Sequence, residues 1–378
     1  MNSTEGITAK KRNANFELLR IVAMFMIITL HYNGYADTLL HLGVPASSVE
    51  VYATILESFC IAGLNVYLLI SGYFLSGSRM KISRLLQLIA QVYFYTVLIS
   101  AALMIAGTYS MYAGNSLYKT IQYMFPISSE HYWFVTAYVI MYALSPVMNA
   151  AIEKLSRKQM KTVILLLLLW FCFIKSFVPV MFVTDKAGYD YGWFICLYLI
   201  AAYIRKYDVK MFYNAKNSAV VFLVSGAVNT ALSLLLHYIN LKRGGFIYYS
   251  QVPTHYNFFF TLMGSLGLFS FFRYYRVKEN KIADVIRFVG PLTFGVYLLH
   301  MHIEIRDRWI EWIGHIIGEV PLYSIPGYAL HLAASIIIIF AAGIFVDFIR
   351  KTVFDFVGRV LHDTWLFKKI REWDESLC

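Results

Sequence analysis

Arg20 and His31 stand eleven residues apart on the first long apolar run of the chain. Eleven helical steps of 100° return to within about 20° of the start, so on a helix both side chains leave one face, ~16 Å apart along the axis. A guanidinium near one end and an imidazole near the other make a polar stripe where ionisable groups cost several kcal/mol in lipid. The unreactive reading is an arginine snorkelling to one surface and a histidine at the other. Glu57 falls in the second turn of the next apolar run, at about the depth of His31. A carboxylate accepting from one imidazole nitrogen fixes the tautomer and leaves the other nitrogen as a base. The plainer reading leaves Glu57 hydrated at headgroup level. Lys81 and Arg84, spaced i,i+3 where the third run opens, project from one side of a helix start and could grip phosphates. As a basic loop they would equally obey the topology rule.

Aromatic residues gather at the ends of later runs. His131-Tyr132-Trp133-Phe134 opens one run, which continues through Tyr138 and Tyr142, and Tyr297, His300 and His302 close another. Such residues are usually belt groups at a membrane surface. On a helix His300 and His302 point about 200° apart, a poor pair for a metal. Trp309 and Trp312 lie among isoleucines in a stretch that reads as a surface helix, or as an aromatic platform for a sugar ring. Lys175, His237 and His331 read as snorkelling or interfacial groups. No Walker loop, GxSxG elbow, HExxH or dinucleotide fingerprint occurs, so nucleotide hydrolysis, serine hydrolysis and metalloproteolysis lack support.

The elements that must hold these groups follow from composition. The 378 residues are 59% hydrophobic and only 15% charged, with mean hydropathy +0.59. A soluble domain could not hide that much apolar surface. The excess lies in runs of roughly 20 residues, which excludes a soluble enzyme, a disordered chain and a disulfide scaffold. The expected fold is an all-α polytopic membrane protein with about ten transmembrane helices. They are Phe16–Tyr35, Val51–Leu75, Ile82–Gly107, Tyr132–Ile152, Thr162–Met181, Tyr191–Tyr203, Ser218–Ile239, Tyr256–Phe272, Leu292–His302 and Gly327–Ile349. Gly34-Tyr35-Ala36 resembles a signal-peptidase site, but the run before it is too long and too polar, so the first helix reads as retained.

Of the 33 Lys and Arg, 25 fall in segments on the side of the N-terminus, 6 fall on the other side, and Arg20 and Lys175 sit within spans. The positive-inside rule then places both termini in the cytoplasm and the chain in a plasma or inner membrane. Residues 1–15 read as a cytoplasmic lead, 16–350 as the membrane domain and 351–378 as an amphipathic tail on the inner leaflet. The net charge of +11 is thus topological, with no nucleic acid implied. Cys60, Cys172, Cys196 and Cys378 form no CxxC pair and read as free thiols.

Several segments in order carry a resemblance. Asn-Phe-Glu-Leu-Leu-Arg (15–20) with His31, Asn65 with Leu-Ile-Ser-Gly-Tyr-Phe-Leu (69–75), and Lys-Ile-Ser-Arg (81–84) are three of them. Trp-Phe-Val-Thr-Ala-Tyr (133–138), Leu-Ser-Pro (144–146) and Val-Tyr-Leu-Leu-His (296–300) are the others. Together they make the chain similar, over about 13–350, to the integral-membrane acyltransferase family three. The resemblance implies a ten-helix core and acetyl-CoA as cytoplasmic donor, and the histidine and cysteine spacings add no metal to that expectation. The implied acceptor is a sugar hydroxyl on a cell-surface polysaccharide or lipid-linked oligosaccharide. It implies that His31 is the essential histidine, Arg20 its arginine partner, and Lys81 with Arg84 a basic pair usually written Arg-x-x-Arg. Lysine at the first position keeps the charge but loses the bidentate fork.

On that reading Arg20, Lys81 and Arg84 serve the donor, and Trp133, Tyr138, Tyr297 and His300 the acceptor. His31, oriented by Glu57, takes the proton from the attacking hydroxyl, with an acetyl-histidine intermediate as the competing chemistry. An extended pantetheine arm is of the same order as the ~16 Å from Arg20 to His31. Some relatives carry a further hydrolase-like domain; none is expected here. A secondary transporter or lipid-linked sugar flippase is the alternative, although the acids lie near span ends and not at the midplane.

Overall fold

The computed structural model describes residues 11–107, 117–129, 131–183, 185–245 and 247–376. Lys10 and Cys378 lie outside them. The described residues form helices and no strand. In order these are α1 (Ala14–Tyr35), α2 (Ser48–Cys60), α3 (Ala62–Leu75), α4 (Ile82–Ile105), α5 (Leu117–Met124) and α6 (Trp133–Lys154). Next come α7 (Arg157–Leu168), α8 (Ile174–Phe177), α9 (Tyr191–Tyr207), α10 (Ala215–Arg243), α11 (Ile247–Gln251) and α12 (Phe259–Tyr274). The last are α13 (Lys281–Val289), α14 (Thr293–His300), α15 (Trp309–Ile317), α16 (Ile325–Leu361) and α17 (Trp365–Ser376).

Polar side chains start the helices where the apolar runs begin. Asn13 accepts the Asn15 N–H ahead of α1, and reciprocal capping boxes join Ser47 to Glu50 and Ser156 to Gln159. Eight helical runs are long and apolar enough to cross a membrane: α1, α2–α3, α4, α6, α7–α8, α10, α13–α14 and α16. Two further expected spans form α9, of 17 residues, and α12, of 16. Side chains such as Val97, Trp170, Leu330 and Ile337 point outward from these runs, as lipid-facing surface requires.

The boundaries of the runs differ most from expectation at two places. The ninth span begins about ten residues early. Lys281 and Arg287, expected in a basic loop, lie on α13, which bends through Gly290-Pro291-Leu292 into α14. Proline lacks the amide N–H needed to continue an α-helix straight through. The break expected after Ile349 is absent, since α16 runs through to Leu361. The tail then turns back as α17, and Ser83 at the start of α4 donates through N–H and Oγ–H to Asp374.

Helix α1 is the hub, packed against α2, α3, α12, α13, α14 and α16. Its Phe16, Leu19, Ala23, Met26 and Leu30 enter an apolar cluster with α3, α9 and α12. Met24, Ile27, Ile28 and Tyr32 enter a second cluster with α4, α14 and α16. Both flanks of α1 are therefore apolar, and its polar stripe is left along the seam between the two clusters. Close helix contacts hold the seam in register. A Cβ at Gly72 would sit 2.9 Å from Tyr198 Cα, and one at Gly343 would sit 2.6 Å from Val296 Cα. Across the second cluster, buried Asp347 accepts from Gln91, Tyr95 and Arg350, tying α4 to α16.

Candidate active site

His31 ends the polar stripe of α1, and its Nδ1 lies 2.8 Å from Nε2 of His300 on α14. His300 Nδ1 lies 2.6 Å from the Val296 carbonyl oxygen. A carbonyl only accepts, so His300 carries its proton on Nδ1 and offers the Nε2 lone pair. In the neutral pair His31 therefore donates from Nδ1 and holds its own lone pair on Nε2. That nitrogen has no partner among the described residues, and the ring lines a cavity of about 770 Å³. The arrangement is one that can serve as a base: one imidazole oriented by a second, which the backbone orients in turn.

Glu57 lines the same cavity and is buried, but it does not hold His31. Its Oε2 accepts from Asn33 Nδ2 at 2.9 Å, and Asn33 Oδ1 accepts from the Tyr328 hydroxyl at 2.7 Å. The expectation that Glu57 orients the imidazole is corrected to His300. Depth along the bilayer placed both acids and imidazoles at one height; it did not say which face each takes. His300 itself is fully buried behind His31, so its contacts are with that ring and the Val296 carbonyl and not with the cavity. Trp133 lines the cavity beside Tyr189, with ring centroids 4.5 Å apart.

Below His31 a narrower space of about 30 Å³ continues along the seam, lined by Met24, Tyr67, Phe134 and Tyr297 among others. Such a volume holds about one water. Tyr67 Oη lies 3.0 Å from the Arg20 carbonyl oxygen, linking this space to the other end of the stripe. Phe134, Tyr138 and Tyr142 stack at i, i+4 and i+8 down α6, centroids 6.1 and 6.5 Å apart. The Tyr142 hydroxyl meets the Lys81 backbone at both N–H and carbonyl. Tyr138 lies in the middle of this stack, one turn from the ring that meets Lys81. It stands toward the basic end of the seam, not in the wide cavity with Trp133. Lys81 and Arg84 are exposed at the start of α4. Arg20 ion-pairs at 2.5 Å with buried Glu17, which also meets Arg12. Glu17 lies one turn away on α1 within the 15–20 segment, and its i,i+3 spacing to Arg20 is the sequence signal of the pair.

Other expected roles change. Helix α14 ends at His300, so His302 is not on its face but packs in the following turn against His131, ring centroids 4.7 Å apart. Trp309 is 1% exposed against Tyr32 and His300, which removes it as a sugar platform. His331 is buried, accepting from Tyr32 Oη and donating to the Gly318 carbonyl. Lys175 does not snorkel; it is buried among Asp185, Asn257 and His255. His237 is buried with neither ring nitrogen paired among the described residues. Among those residues no three His, Cys, Asp or Glu side chains gather as a metal set.

Helices of spanning length around a polar seam, with an oriented imidazole opening on a cavity at one end, define a multi-pass membrane protein with an enzyme-like site. The sequence profile of the family described as an acyltransferase domain matches residues 13–347. The chain belongs to acyltransferase family three, and it is a membrane-embedded acyltransferase. No curated protein and no solved structure matches it.

Proposed function

We propose that the protein transfers an acetyl group from acetyl-CoA on its basic, cytoplasmic face to a hydroxyl on the cavity face. The acceptor is a cell-surface polysaccharide or its lipid-linked precursor, and the membrane is the plasma or inner membrane. The observation that supports this best is the His31–His300 pair, which opens on the cavity at one end of a seam whose other end carries Arg20 and Arg84. Phosphates cannot enter hydrocarbon, so Lys81 and Arg84 hold the nucleotide while the thioester reaches inward past Tyr67. His31 Nε2 takes the proton from the acceptor hydroxyl as its oxygen attacks the thioester carbonyl. The tetrahedral intermediate collapses, the C–S bond breaks, and the thiolate recovers the proton from His31 as CoA leaves. General base catalysis of this kind contributes about 10²–10⁴ in rate. Glu57, held by Asn33, accepts a hydrogen bond from the acceptor sugar.

The test uses purified protein, acetyl-CoA and envelope oligosaccharide stripped of O-acyl groups by mild base. Free CoA and an oligosaccharide heavier by one acetyl group are expected. His31→Ala lowers turnover about 10²–10⁴-fold, Arg84→Ala raises KM for acetyl-CoA far more than for acceptor, and Glu57→Gln lowers the rate. Undiminished turnover in His31→Ala would remove the imidazole from the chemistry.

A further inference from the structure

Lys175 lies 2% exposed near the cavity end of α8, and its ammonium has three N–H donors and no acceptor. Its three partners are Asp185 at 2.8 Å, Asn257 Oδ1 at 2.8 Å and His255 Nδ1 at 2.7 Å. Asp185 also takes the Tyr248 hydroxyl and the Ala187 N–H. Burial alone would raise the Asp185 carboxyl, but the bonds from Lys175 and Tyr248 hold it below its ordinary value, so the ion pair is formed. With every ammonium proton committed, His255 Nδ1 can only accept, and the His255 proton must sit on Nε2. Burial and then the Lys175 charge push His255 down to about 4, which keeps the ring neutral at pH 7. Nε2 has no partner among the described residues and is not sealed from solvent, and His255 lines the cavity that holds His31 and Glu57.

Tying the 185–190 and 252–258 segments to α8 accounts for Asp185 and Asn257. It does not account for an imidazole that lines the cavity with its Nε2 N–H left uncommitted. The geometry points to His255 as an acceptor-binding residue, donating from Nε2 to a sugar oxygen, with Lys175 as the positioning residue that fixes this tautomer. The assignment rests on the acyl-transfer reading above and makes the cavity selective for acceptors bearing an oxygen at the position His255 reaches.

The experiment compares His255→Phe, which removes the donor, with His255→Gln, whose amide N–H falls near the Nε2 position. One neutral hydrogen bond is worth about a three- to tenfold change. His255→Phe is therefore expected to raise KM for the de-O-acetylated oligosaccharide by that factor, with KM for acetyl-CoA and thermal stabilisation by CoA unchanged. His255→Gln should return acceptor KM to within about twofold. An unchanged acceptor KM in His255→Phe overturns the proposal, and so does a Gln variant as impaired as the Phe variant. If His255→Phe loses stabilisation by CoA, His255→Met replaces it. Equilibrium binding of the same oligosaccharide without donor separates the two readings. Wild-type protein that releases no CoA refutes acyl transfer, while binding weakened by His255→Phe still supports His255 and unweakened binding refutes it.

Discussion

At the scale of single residues, the site turns on which nitrogen of His31 is free. That is set 269 residues away, by an imidazole whose own proton is fixed by a backbone oxygen. On the proposed mechanism, removing the His300 lone pair loosens the base without touching substrate. His300→Phe should lower kcat about 10- to 100-fold with both KM values little changed, and His300→Gln, whose amide oxygen can accept from His31 Nδ1, should recover part of it. Steady-state kinetics decide this, and equal losses in Phe and Gln would speak against the relay. The stripe from Arg20 to His31 was legible because helical spacing is arithmetic along one strand of sequence. The His31–His300 contact was not, because spacing carries no information about which helices become neighbours. Lys175 was misread for a related reason: a lone lysine in an apolar run looks like a snorkelling group until the loops that cover it are known.

At the scale of elements, the segments between helices do as much positioning as the helices. In the 36–47 segment, His41 Nδ1 lies 2.7 Å from Glu50 and Nε2 lies 3.2 Å from Asp37, while Leu39 and Leu40 line the cavity. Those hydrogen bonds, Glu50 first and Asp37 second, raise the His41 pKa above its ordinary value. A raised folded value contributes stability that is complete below about 6.5 and lost as pH rises through the folded value. Hydrogen exchange in 36–47, corrected for intrinsic rate, should show less protection at pH 9 than at pH 6. His41→Ala should flatten that difference; an unchanged pH dependence would detach His41 from the segment. Apolar run length made most helices legible, but α13 was hidden because Lys281, Asp284 and Arg287 dilute its hydropathy. Only the amphipathic period, completed by packing against α1, makes it a helix.

At the scale of the whole molecule, the all-helical membrane architecture followed from composition alone, since lipid admits few ways to satisfy a backbone. What composition could not supply was the division of the interior into two apolar clusters with a seam between them. That division follows from α1 burying both flanks. The seam is wide at the cavity and closes to room for about one water among Tyr67, Phe134 and Tyr297. A polar seam through a membrane protein is also a potential leak for ions down a membrane voltage worth about 2.3 kcal/mol per charge at 100 mV. The rings at its narrow point are where a seal against that leak is expected. Tyr297→Ala, in liposomes loaded with a pH-sensitive dye, should dissipate an imposed proton gradient faster than wild type, and equal decay would mean the seal lies elsewhere. On the proposed acyl route, the same crowding obliges each turnover to begin with aromatic side chains standing aside.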